Sequence, residues 1–98
     1  MAEINPIIHQ PTRLRIMATL VSLEKDEKAD FVFLRDFLEL TDGNLSVHLS
    51  KLEGAEYVMV EKAFVKRRPK TWICATMDGR NAFAAHVDAL EAIVGLAR

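Results

Sequence analysis

Leu40-Thr41-Asp42-Gly43-Asn44-Leu45-Ser46-Val47-His48-Leu49-Ser50-Lys51-Leu52-Glu53 is the stretch on which the reading of this chain turns. Thr41, Asp42 and Gly43 supply a capping oxygen and a flexible backbone position, which predicts a turn and then a helix over about 42–54. Within it Leu45, Leu49 and Leu52 stand at i, i+4 and i+7, so all three share one buried stripe. The opposite face carries Asn44, Ser46, Val47, Ser50 and Lys51. Those side chains are short or polar, and a helix with such a face can lay its backbone close to a flat polar partner.

Upstream, Pro11 and Thr12 open a helix whose apolar residues Leu14, Ile16, Met17, Leu20 and Leu23 recur at helical spacing until the polar residues 24–29 end it. Asp30 is the expected N-cap of a short second helix, with Phe31, Leu34, Phe37 and Leu38 inward, stopping near Leu40. Downstream, residues 57–63 and 71–75 are rich in β-branched and aromatic side chains and predict the two strands of a hairpin. Between them the tip, over about 63–71, carries Lys66, Arg67, Arg68 and Lys70, and with Lys62 this makes an acid-free basic segment. Thr76 is then placed to cap a last helix. Its stripe is Phe83, Val87, Leu90 and Val94, widened by Ala85, Ala89, Ala92, Ile93 and Leu96.

Length and composition bound what this arrangement can be. Ninety-eight residues, half of them hydrophobic, suffice for one core, so residues 1–98 are expected to form a single domain. The net charge of −1 argues against a polyanion binder that is basic all over, because Glu24, Asp26, Glu27, Asp30, Asp36 and Glu39 offset the basic tip. No apolar run approaches the roughly 18 to 20 residues of a membrane span, and the N-terminal residues lack a signal-peptide profile, so a cytoplasmic protein without membrane contact is expected. The single cysteine, Cys74, fits a reducing compartment and reads as an ordinary strand residue. His9, His48 and His86 are isolated from other ligand types, so neither a metal nor a cofactor is expected; His48 reads as a packing or phosphate-contacting residue. With neither a nucleophile elbow nor a phosphate loop in the sequence, the chain is not expected to be an enzyme.

The order of elements predicts a mainly α fold with a small antiparallel β-hairpin, a winged helix-turn-helix with double-stranded DNA as its partner. Asn44 and Ser46 would meet base edges, Val47 a thymine methyl and Lys51 a phosphate. The wing cations Lys66, Arg67, Arg68 and Lys70 suit the flanking backbone or a narrow minor groove. The segment 40–53 quoted above, with Tyr57-Val58, Lys66-Arg67-Arg68-Pro69-Lys70-Thr71 and Thr76-Met77-Asp78-Gly79-Arg80-Asn81-Ala82-Phe83, resembles the small winged-helix transcriptional regulators related to the MarR and ArsR families. That resemblance runs from about Pro11 to the C-terminus. It implies that Asn44, Ser46, Val47 and Ser50, beside Gly43, face DNA. The paired cysteines of the metal-sensing ArsR branch are missing here, and many related chains have Gly where Glu56 stands.

The resemblance also implies a homodimer joined through the terminal helices, over about 1–23 and 77–98. An apolar surface wider than one small domain covers points the same way: Phe83, Val87, Leu90, Ile93, Val94 and Leu96, with Ile4, Ile7 and Ile8 ahead of the first helix. Two rivals remain at this level: a winged-helix protein-interaction module without specific DNA binding, and a ligand or redox sensor. The sequence names no small-molecule effector.

Overall fold

Helix α1 (Pro11–Ser22) begins with proline, whose missing N–H costs nothing in a first turn, and Gln10 Oε1 accepts the Arg13 N–H at 2.8 Å. The computed structural model describes residues 3–98. After α1 come strand β1 (Ala29–Asp30), helix α2 (Phe31–Phe37), helix α3 (Asp42–Gly54), strands β2 (Val58–Val65) and β3 (Arg68–Ala75), and helix α4 (Met77–Gly95). The sheet is antiparallel in the order β1-β3-β2, and Ile8, Ile16, Met17, Leu20, Leu34, Leu45, Leu52 and Ile73 are fully buried among its neighbours. Each such burial contributes about 2 kcal/mol. The fold class expected from the sequence is the one observed, with the hairpin enlarged by a third strand.

That third strand, β1, pairs Ala29 with Ile73 and Asp30 with Trp72. Two residues are too few to show an alternating pattern, so the sequence carries no sign of a strand there. Asp30 therefore works as a strand residue. It stands before α2 with an extended backbone but makes no side-chain cap bond, and its carboxylate lies 3.8 Å from Lys70 Nζ. Leu34 of α2 and its C-cap Leu38 are buried as expected, Phe31 is half-buried, and Phe37 instead stacks on Phe33 outside the core.

The connection between α2 and α3 also differs from the expectation. Gly43 lies inside α3 and has an ordinary helical φ; the left-handed residue is Glu39, with φ of 55°. There the Glu39 N–H bonds Asp36 O at 3.2 Å and the Leu40 N–H bonds Arg35 O at 2.8 Å, the double closure that ends a helix with one left-handed residue. Glu56 repeats the device after α3, with φ of 63° and the bonds Glu56 N–H to Glu53 O and Tyr57 N–H to Leu52 O. This is the position where a glycine is expected in related chains, and its backbone explains why.

Residues 3–10 precede α1 as a turn, and the helix starts at Pro11, where its sequence predicts. Met1 and Ala2 lie outside the described residues. Asn5 holds the turn: its Oδ1 accepts the N–H groups of Ile7 and Ile8, its Nδ2 donates to Tyr57 Oη, and its own N–H donates to His86 Nδ1 at 3.0 Å. Ile8 is thereby driven fully into the core of its own chain and Ile7 packs against it. Ile8 is not available to a partner. Phe83 also packs on the core, and the inward line of α4 runs through Gly79, His86 and Ala89. Gly79 is required where it stands, because a Cβ there would lie 2.0 Å from Tyr57 O.

Candidate nucleic-acid interface

Thr41 Oγ1 accepts the Asn44 N–H at 3.1 Å and so starts α3 as its sequence predicts. Leu45, Leu49 and Leu52 then pin one face to the core, which turns every other part of the helix outward. Gly43, Asn44, Ser46, Val47, Ser50 and Lys51, all candidates from the sequence, are exposed, and Val47 presents 58 % of its surface. An added Cβ at Gly43 would meet nothing within 4 Å. At this first turn the N–H groups of Asp42 and Gly43, ahead of the capped Asn44, have no carbonyl partner within the helix, and together with its dipole they favour an anionic oxygen.

Asp42 would oppose that preference, but Arg35 from α2 compensates it. The Arg35 guanidinium bonds Asp36 at 2.9 Å and Asp42 at 2.8 Å, and these hydrogen bonds, Asp36 first, raise its pKa further above its ordinary value. Behind the exposed face of α3, Arg13 of α1 reaches His48: its Nη1 stands 3.2 Å from His48 Nδ1, while its Nε donates to Ile7 O. Partial burial and the Arg13 charge lower the His48 pKa, so this ring stays neutral at pH 7 and accepts the Arg13 hydrogen bond. His48 is thus a packing residue that ties α3 to α1.

Strands β2 and β3 remain paired up to Val65 and Arg68, which leaves a turn of just Lys66 and Arg67, with φ of 53° and 66°. Positive φ at both central residues is what a tight twisted hairpin demands. The wing is therefore a narrow ribbon whose strands run further into the tip predicted over about 63–71 than the sequence indicated. Pro69 fits because Val65 and Arg68 close the turn as a hydrogen-bonded pair; the next pair, Phe64 and Pro69, needs no N–H from proline. Lys66, Arg67 and Arg68 are exposed. Lys70 differs: it is half-buried, near Asp30 and 5.4 Å from the centre of the Trp72 ring, so part of its charge is already balanced.

Between α3 and the hairpin lies a groove of about 370 Å³ lined by Ser46, Ser50 and Glu53 on one side and Val60, Lys62 and Thr71 on the other. It brings the helix candidates and the hairpin to one concave surface. Sequence patterning leaves Lys62 and Phe64 out of the candidate site, although both share the sheet face that borders this groove. Strand alternation counted from the buried Val58 would find them.

The sequence profile of the winged helix DNA-binding domain family matches residues 12–94. The chain belongs to that family. It is similar to a transcriptional regulator homologue from Pyrococcus horikoshii OT3 of known structure, with a TM-score of 0.82 and 31 % identity, covering 91 % of this chain and 85 % of that one. An uncharacterized protein of Methanocaldococcus jannaschii is 42 % identical over 81 residues, 83 % of this chain and 85 % of the relative. In this winged-helix protein α3 occupies the recognition-helix position and the β2–β3 hairpin is the wing. Among the described residues no helix is long and apolar enough to cross a membrane.

Proposed function

We propose that this winged-helix protein binds double-stranded DNA sequence-specifically and regulates transcription as a homodimer, without catalysis or cofactor, in the cytoplasm. The observation that carries the reading is the pairing of an exposed, short-chained face on α3 with a cationic two-stranded wing across one groove. Asn44 and Ser46 contact base edges, Val47 a thymine methyl, and Ser50, Lys51 and the Gly43 amide the backbone. Lys66, Arg67 and Arg68 lie along flanking phosphates. Two such helices related by a two-fold axis read half-sites about 34 Å apart, which calls for a near-palindromic operator.

Selection from a pool of randomised duplexes tests this. The expected outcome is one enriched near-palindrome, and Asn44→Ala and Ser46→Ala should relax its sequence while costing about 1 to 3 kcal/mol on the best site. Recovery of unenriched sequence with the parent protein would remove specific DNA recognition.

One observation favours a second reading, a protein-interaction module. Phe33 and Phe37 stack with their centroids 5.5 Å apart on the exposed side of α2, with Val32 exposed on the same helix. An apolar contact there would be nearly indifferent to salt, whereas DNA binding weakens steeply as salt rises.

A further inference from the structure

Among the described residues Phe64 is the most exposed large apolar side chain, at 78 %, and it sits on the wing among cations. Its cross-strand partner is Pro69, and the two continue the sheet face on which Val60 pairs with Ile73 and Lys62 with Thr71. That is the face bordering the groove, so Phe64 and Pro69 extend the groove wall toward the tip, about 7 Å beyond Lys62. Lys62 precedes the pair on the same face, and Lys66 and Arg67 follow it in the turn; Arg68, paired with Val65, belongs to the opposite face of the same narrow tip. Of the acids nearby, Glu61 points to the opposite face, where Lys28 binds it at 2.6 Å, and Glu53 lines the groove from α3. An aromatic and a proline are thus offered to solvent in a strongly cationic setting.

We infer that Phe64, supported by Pro69, enters the minor groove of duplex DNA beside the site read by α3 and wedges partly between two base pairs. The inference rests on the DNA-binding reading above and adds to it a second, non-electrostatic point of contact. A two-residue turn makes the ribbon slim enough to approach a groove about 6 Å wide. Its cations face phosphates of the two strands, and phenylalanine and proline are side chains that unstack a base step when a cationic ribbon delivers them there. Flexible pyrimidine–purine steps yield most readily, so Phe64 selects for them at a position α3 does not touch.

The probe is the duplex enriched by the parent protein, with 2-aminopurine placed in turn at each step flanking the α3 half-site. With the parent, fluorescence should rise at one step per half-site as the base loses its stacking. Phe64→Ala should abolish that rise and weaken binding about tenfold while the dependence of affinity on salt keeps its slope, since every cation is retained. Phe64→Leu should restore most of both. Phe64 packs on nothing in the core, so thermal unfolding and sedimentation of the variants should match the parent. An unchanged affinity and fluorescence in Phe64→Ala, or a parent that brightens no position, overturns the wedge. A changed sedimentation would overturn it too, assigning Phe64 to contact between copies. A parent that binds no duplex overturns the DNA reading itself.

Discussion

Glu39 and Glu56 each take a left-handed conformation to end a helix, and for a residue with a Cβ this costs about 1 to 2 kcal/mol relative to glycine. At Glu56 the side chain is exposed, and the backbone carbonyl, which accepts Thr76 Oγ1 at 2.6 Å, survives any substitution. Glu56→Gly is therefore expected to stabilise the protein by about 1 kcal/mol, after allowance for the extra freedom glycine has when unfolded. A thermal unfolding midpoint no higher than that of the parent would contradict it. His86 makes a different demand. Its Nδ1 accepts the Asn5 N–H, its Nε2 lies 3.4 Å from His9 Nδ1, and burial first, then the neighbouring His9, lowers its pKa below 6.5. Well above pH 6.5 the ring is neutral whether folded or not. As pH falls from 6.5 toward the lower folded value, the unfolded chain takes up a proton that the folded chain refuses, and stability drops. Urea midpoints measured from pH 7.5 to 5 should fall accordingly, and His86→Gln should flatten the curve except for the part due to His48.

At the scale of an element, the wing turn combines a structural weakness with a cationic surface. Lys66 and Arg67 occupy two positive-φ positions that asparagine and glycine fill with less strain. Replacing them together, Lys66→Asn with Arg67→Gly, should raise the unfolding temperature while weakening binding to specific and random duplexes alike. The salt slope should fall by about one for each phosphate that the variant no longer neutralises. Opposite signs of the two effects would separate what these residues do for the fold from what they do for DNA; a variant that binds like the parent would show that the tip meets no phosphate.

At the scale of the molecule, α4 is only half covered. Gly79, His86 and Ala89 face the core, whereas Val87 and Leu90 are half-buried and Ile93, Val94 and Leu96 are exposed, Leu96 at 77 %. A second copy would bury this strip with Ile4 and the outer part of Ile7, the arrangement expected of a two-fold dimer. Val94→Glu changes a residue the single chain already exposes, so the fold should persist while an unpaired charge in the interface costs about 3 kcal/mol or more. Sedimentation at micromolar concentration should find dimers of the parent and monomers of the variant, with weakened binding to palindromes. A monomeric parent would remove the two-fold model.

The sequence by itself determined whatever rests on local periodicity and capping. The i, i+4, i+7 leucines and Thr41 defined the recognition helix and its outward face, Thr76 the start of α4, and the run from Lys66 to Lys70 the charge of the wing. These depend on residues a few positions apart, whose relation a helix or strand sets without help. Tertiary structure decided what depends on meeting distant partners. Ile8 became core because Asn5 bonds across to Tyr57 and His86; His9 and His86, isolated in sequence, came within hydrogen-bond reach; Lys70 gave up part of its freedom to Asp30 in a strand too short to carry a pattern. Glu39 and Glu56 took the conformation glycine prefers because the packing of α2 and α3 outweighs a strain of about 1 to 2 kcal/mol at each, an override that propensity alone does not foresee.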